Sequence, residues 1–352
     1  MTIEELVGQI QPACAETMAA ARKRWRYKCM PIGSMGAFQD MIVSIAGMQR
    51  MEIPEIRGKM AMVIAADNGV VEEGVSQSGS EVTAQVVANM VAGQSGVALL
   101  AEYNYCPLYI INMGMKTEEP MAGVDWHPLM YGTANMTKGP AMDRETVEKA
   151  ILYGAERVMS MADCQMDLFS VGEMGIGNTT TSSAVLSVLT ETPPREVTGR
   201  GAGLSAEGME RKISAIQRAI DVNQPDKADV LDVLSKVGGL DIAGMVGCYL
   251  GIAASKRTAV IDGFISSVAA LAAVRLCPAC KDYMIASHRS LEPGAALALS
   301  ELGLDPVLES GMHLGEGSGA VMFFSLLEQA LYIYKKLPSF DEGHVETYEE
   351  FD

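Results

Sequence analysis

Residues 168–183 read LFSVGEMGIGNTTTSS, an apolar run that breaks into Gly172, Gly175 and Gly177 and continues through Asn178, Thr179, Thr180 and Thr181. The glycines let the backbone come close to a ligand, and the free N–H groups of a helix starting near Thr179 suit an anion. Glu173 lies inside this loop, so the phosphate cradle carries an acid. A second cluster, Thr198-Gly-Arg-Gly-Ala-Gly203, precedes another helix start near Ala206, and Arg200 and Lys212 are its nearest cations. Two such entrances can surround a single phosphate. A third segment, HLGEGSGA at 313–320, sets Glu316 between two glycines beside Met312 and Leu314. A carboxylate in so apolar a loop is expected to have a raised pKa, which suits a proton acceptor. Each feature also has a plainer reading: a capped turn, a surface charge, an acid at a helix start.

Other chemistries fit less well. The glycine order G-x-x-G-x-G is not the dinucleotide fingerprint, and no strand-ending acid follows about 20 residues on. No Gly-Lys-Ser/Thr follows for a P-loop, and no G-x-S-x-G elbow is present. The four histidines show no H-x-x-H spacing, and Cys277-Pro-Ala-Cys280 stands alone without a second pair. Neither a metal nor a cofactor is expected. Ser287-His288 is a further catalytic candidate, and Asp67, Asp241 and Asp262 either bind a hydroxyl or cap a helix.

The charge balance points the same way. With 27 basic and 44 acidic residues the net charge is −17. That argues against nucleic-acid binding, which needs a basic face. An anionic substrate must be held by local devices. No N-terminal segment combines basic residues with an apolar run, and the most apolar stretch, 238–254, is interrupted by Asp241 and five glycines. No membrane association is expected. Seven scattered cysteines suit reduced thiols, and the expected location is cytoplasmic.

The elements that position these residues follow one pattern. Short, continuous apolar runs end in Gly, Asp, Asn or Ser at 61–69, 107–114, 166–175, 257–263 and 282–290, with a weaker run at 306–317. Helical segments follow at 81–101, 143–161, 179–189, 206–221, 226–236, 241–254, 264–276, 292–302 and 319–335. Apolar runs without alternation are those of a parallel sheet covered on both faces. We therefore expect an α/β fold with a doubly wound, mainly parallel sheet, its ligand at the carboxyl ends of the strands. Residues 1–25 and 38–50 read as helices. The expected division is a small helical domain over 1–58 joined by the C-terminal helix, an α/β domain over 59–335, and an acidic tail over 336–352.

The segments PIGSMG, AADNGVVEEGVS, VGEMGIGNTTTSSA, TGRGAG, KVGGLDIAGMVG, VIDGFISSVAAL, ASHRSLEPG and HLGEGSGA, in this order, resemble the nicotinate-nucleotide:dimethylbenzimidazole phosphoribosyltransferase family. The resemblance implies transfer of phosphoribose from nicotinate mononucleotide to a benzimidazole-type base, giving an α-ribazole phosphate and nicotinate for the lower ligand of a cobamide. It implies that Glu316 is the general base, that Gly175, Gly177, Asn178, Thr179, Thr180 and Gly203 hold the phosphate, and that Glu173 and Lys212 line the substrates. Ser80 and Leu314 are expected to line them as well. It also implies a homodimer. Departures from the family's pattern occur at Met30, Asn68, Gly79-Ser80 and Ala295, and the pair at 79–80 leaves the accepted base open. The alternative is a non-catalytic nucleotide-binding or regulatory homologue.

Overall fold

The computed structural model describes residues 1–201 and 203–348. Six strands form one sheet: β1 (Lys59–Ala66), β2 (Leu108–Gly114), β3 (Val124–Trp126), β4 (Leu168–Met174), β5 (Thr258–Ile261) and β6 (Met284–Ala286). Their spatial order is β3-β2-β1-β4-β5-β6, and every neighbouring pair is parallel. β1 is buried from Met60 to Ala66, because helices cover both faces of the sheet. Ala61 stands opposite Leu108 on one side and Ser170 on the other.

Before the sheet come α1 (Ile3–Val7), α2 (Ala15–Arg26) and α3 (Ala37–Gln49). The single helix expected over 1–25 is thus two, separated by a segment that contains Pro12, which has no N–H for a helix to use. Between β1 and β4 lie α4 (Glu81–Val91), α5 (Gly96–Tyr103) and α6 (Arg144–Asp163). After β4 come α7 (Asn178–Thr190), α8 (Pro194–Val197), α9 (Ala206–Asn223), α10 (Val230–Val237) and α11 (Leu240–Ala254). The chain closes with α12 (Phe264–Leu276), α13 (Pro293–Leu302), α14 (Ser318–Lys336) and α15 (Phe340–Gly343).

α6, α11 and α12 pack as one layer; α4 and α14 cover the other face, with α5 and α3 beyond them. The glycines of 238–254 are explained by close helix contact. A Cβ on Gly247 would stand 1.9 Å from the Ile151 carbonyl oxygen of α6. The expected helix over 81–101 is broken into α4 and α5, with Gly93 left-handed at φ 73° and Ser95 capping α5. The stretch Glu81–Tyr103 is long and apolar enough to cross a membrane by length and composition alone. Here it is a bent pair of helices lying against the sheet and α14. The weak run at 306–317 is not a strand; among the described residues its ladder contact is the bridge between His288 and Leu308. β3, an edge strand of three residues, gave no apolar run to detect.

α14 packs on β4 and β5 and also on α3. Its Tyr334 ring lies 4.9 Å from that of Trp25, and its Phe323 stacks 6.1 Å from Phe38. The start of the acidic tail is docked: Cys29 N–H donates to Pro338 O at 2.9 Å, and Phe340 is buried. Residues 349–352 of the expected tail lie outside the described residues.

Candidate active site

In this strand order the connections leave β1 and β4 in opposite directions, which opens a crevice at their carboxyl ends. A bulge at Ala65–Ala66 turns the end of β1 just before Asp67 and Asn68. On the β4 side the chain runs Glu173, Met174, Gly175, Ile176, Gly177 and enters α7 at Asn178. Gly175 crosses so close to β1 that a Cβ would stand 2.1 Å from Ala66 O, and Gly177 is left-handed at φ 93°. Only glycine fits the first position, and the second favours it strongly.

This turn lines a cavity of about 70 Å³ with Ser76, Gln77, Thr179, Arg200 and Gly201. α7 has no side-chain cap; the N–H groups of Asn178 and Thr180 turn back to Gly175 O and Gly177 O at 3.1 and 2.9 Å, and that of Thr179 has no partner among the described residues, which leaves it to a ligand. Lys212 reaches the same place from α9. It falls in the buried stripe Gly208, Lys212, Ala215, Ile216, Ala219 and is fully buried. Its Nζ donates to Thr179 Oγ1 at 2.8 Å and to Gly199 O at 3.0 Å. Burial pushes its pKa down to about 8, against the pull of Glu292. Glu292 in turn accepts from Gly201 N–H at 3.0 Å. Two glycine-rich loops and a desolvated cation therefore converge on one anion-sized space.

Glu316 lies at the other end of the crevice. Gly315, Glu316 and Gly317 are left-handed in succession, at φ 82°, 64° and 87°. A left-handed glutamate is strained by roughly 1–3 kcal/mol, and its neighbours hold it there. Gly172 of β4 passes against it, where a Cβ would stand 2.4 Å from Glu316 O. Ser170 Oγ donates to Gly317 O at 3.1 Å. Asp262, after β5, accepts from the N–H groups of Gly317, Gly319 and Ala320 at 3.2, 2.7 and 3.0 Å. The Glu316 carboxylate accepts from Val97 N–H in the first turn of α5 at 3.1 Å. Burial raises its pKa above the ordinary carboxylate value, while the Val97 bond opposes this.

Glu173 connects the two ends. It accepts from Glu316 N–H at 3.4 Å and from the Asn178 amide at the mouth of α7. Burial, then the neighbouring Asp241, pushes its pKa up to about 8. Asp241, buried at the start of α11, is likewise pushed up to about 7 by burial and is held by Asn68 Nδ2 at 3.3 Å. At neutral pH Glu173 is thus mainly a neutral acid, and the less buried Glu316 is the better proton acceptor. Two acids with environments that differ in this way divide the roles between them.

The expected site residues mostly converge. Gly175, Gly177, Asn178 and Thr179 line the cavity, and Lys212 stands behind Thr179. Gly203 is left-handed at φ 103° and holds Gln77 through its carbonyl rather than lining the space itself. Thr180 does not line it: a further helical step turns it inward, where it is fully buried and its hydroxyl has no partner among the described residues. Leu314 is 59% exposed and touches Gly96 beside Glu316, a place for an apolar ring. Ser80 is half-buried just before α4 and makes no side-chain cap there. Ser287 and His288 are buried and bonded to each other at 2.9 Å.

Sequence reasoning missed Glu292 and Val97, and left Asp241 and Asp262 undecided. Lone acids in the apolar segments KVGGLDIAGMVG and VIDGF were the available signal, because only a partnered carboxylate is buried there.

Residues 10–345 match the family model described as phosphoribosyltransferase. The nicotinate-nucleotide–dimethylbenzimidazole phosphoribosyltransferase of Ruminiclostridium cellulolyticum is 41% identical over 348 residues, covering 99% of each chain. Its namesake in Alkaliphilus metalliredigens is 42% identical, covering 97% of this chain and 99% of its own. The crystal structure of CobT from Thermus thermophilus superposes with a TM-score of 0.90 at 35% identity, covering 95% of this chain and 100% of that one. Matched by that family model over residues 10–345, and 41–42% identical to these two relatives over nearly their whole length, this chain belongs to the nicotinate-nucleotide–dimethylbenzimidazole phosphoribosyltransferase family.

Proposed function

We propose that the protein transfers phosphoribose from nicotinate mononucleotide to 5,6-dimethylbenzimidazole or a related lower-ligand base. The products are α-ribazole 5′-phosphate and nicotinate. The observation that carries this is the connection of Glu316 to the phosphate loop through Glu173. It sets a base and an anion site at two ends of one crevice, as transfer at the intervening ribose requires.

The 5′-phosphate is held by the turn at Gly175–Thr179, backed by Lys212. The bond from C1′ to the pyridinium nitrogen breaks, and its electron pair returns to the ring, so nicotinate leaves without an acid. The incoming ring nitrogen forms its bond to C1′ from the opposite face, and its proton passes to the Glu316 carboxylate. Inversion turns a β-linkage into an α-linkage. The ionised carboxylate of Glu316 favours the positive charge that develops on the ribosyl ring. Positioning supplies the remainder. Leu314 offers an apolar surface to the base, and Ser80 at the entrance to α4 offers it a hydroxyl.

Residues 1–58 with the end of α14 form the small domain in this reading, and 59–335 the catalytic one. A homodimer in the cytoplasm is supported by the exposed Leu99, Tyr103 and Tyr105 at the end of α5 and by seven free cysteine thiols. The test is nicotinate release from nicotinate mononucleotide with a panel of benzimidazoles, adenine and phenols. Release that requires a benzimidazole supports the proposal; no release with any base refutes it.

A further inference from the structure

We propose that Asp262 is the positioning residue for Glu316, fixing the left-handed 315–317 loop through its bonds to the N–H groups of Gly317, Gly319 and Ala320. This rests on the reading of Glu316 as the base.

The geometry is specific. One carboxylate oxygen takes the Gly317 N–H at 3.2 Å, and the other takes those of Gly319 and Ala320 at 2.7 and 3.0 Å. α14 begins at Ser318, and Gly317 at its N-cap has no side chain to offer, so a residue from a strand end does the capping. The first bonded N–H belongs to the residue immediately after Glu316. Any slack there rotates a glutamate already held in a left-handed conformation. Asp262 is itself immobile: it is 3% exposed and follows directly on β5.

Charge gives the arrangement a second effect. Asp262 is one of the groups that raise the pKa of Glu316 and of Glu173. The other ionisable groups around the pair are Glu173 at the end of β4, Asp241 and Tyr249 of α11 and His288 after β6; burial raises the pKa of Asp262 itself, and His288 and the N–H groups of Gly319 and Ala320 oppose this by favouring its charged form. The carboxylate therefore both aims Glu316 and keeps it basic.

Asp262→Asn tests this. The amide keeps an acceptor for Gly319 and Ala320 but turns an NH2 toward the Gly317 N–H. Turnover should fall about ten- to a hundredfold, given the cost of losing a charged acceptor, with KM for both substrates within about threefold. The acid limb of the kcat–pH profile should move to lower pH, because a negative charge beside Glu316 is gone. Wild-type turnover would overturn the inference, and so would reduced turnover with an unmoved acid limb. Should that variant not fold, Asp262→Glu keeps the charge and displaces it by one methylene. Lower turnover with the limb in place is then expected, and wild-type turnover overturns the inference. Glu316→Gln is assayed alongside. If it is fully active, the reading of Glu316 as the base fails; if it is inactive while Asp262→Asn is normal, only the inference fails.

Discussion

Replacing Lys212 by methionine should weaken substrate binding without weakening the fold. In the free protein the lysine is fully buried and keeps its proton with difficulty, at a pKa near 8 where 10.5 is usual. At about 1.4 kcal/mol per pH unit, the charged form costs the folded state on the order of 3 kcal/mol at pH 7. Against this stand its bonds to Thr179 Oγ1 and Gly199 O, worth about 1 kcal/mol each. Methionine is of similar length and removes both the buried charge and the two bonds, so free-protein stability should fall by no more than about 1 kcal/mol. Substrate binding is a different matter. A phosphate dianion beside Lys212 forms a charge-assisted contact worth about 1.5–3 kcal/mol, so KM for nicotinate mononucleotide should rise roughly 10- to 150-fold. The pH dependence follows from linkage. The unfolded chain holds the Lys212 proton up to about 10.5 and the folded one only to about 8, so this group makes stability rise with pH between those values. Below pH 8 the full penalty is present. Urea unfolding across the range from neutral to alkaline pH and steady-state kinetics are the assays. The variant should lack the rise. A loss of more than about 2 kcal/mol in stability with unchanged KM would refute the reasoning and make Lys212 a structural cation.

Two further substitutions probe the crevice. Gly172→Ala pushes a methyl against Glu316 O, where only 2.4 Å is free. A displacement of about 1 Å there should cost around a hundredfold in kcat in an enzyme that still binds nicotinate mononucleotide, as single-turnover assays would show. Normal turnover would mean that the position of Glu316 is not critical. Thr180→Val removes a buried hydroxyl without a partner, so stability should stay within about 1 kcal/mol and KM should not change. A large rise in KM would restore Thr180 to the phosphate site.

How much of this could be read from the sequence depended on the distance between the residues concerned. β1, β2 and β4 were legible because strands buried on both faces are unbroken apolar runs. β3 was not, because Val-Asp-Trp at a half-exposed edge has no such signature. The break between α4 and α5 hid in a continuous apolar stretch, and the weak run at 306–317 meets its neighbour at the single bridge of His288 and Leu308, too short a pairing to make it a strand. Within the site, glycines on both sides of Glu316 marked a local requirement, namely a left-handed loop, and local requirements show in sequence. The contact between Glu173 and Glu316 joins residues 143 apart, and nothing in either segment names the other. The orientation of Thr180 was hidden for a related reason: a run of threonines does not say which one the helix turns inward.

The central claim is that Glu316 takes the proton, and the turnover of Glu316→Gln tests it most directly. Glutamine keeps the size of the side chain and an oxygen for Val97 N–H, so folding and KM for nicotinate mononucleotide should be close to those of the wild type. kcat should fall by about 10²- to 10⁴-fold, the usual contribution of a general base. Turnover of nicotinate mononucleotide and dimethylbenzimidazole within a few-fold of wild type would contradict it.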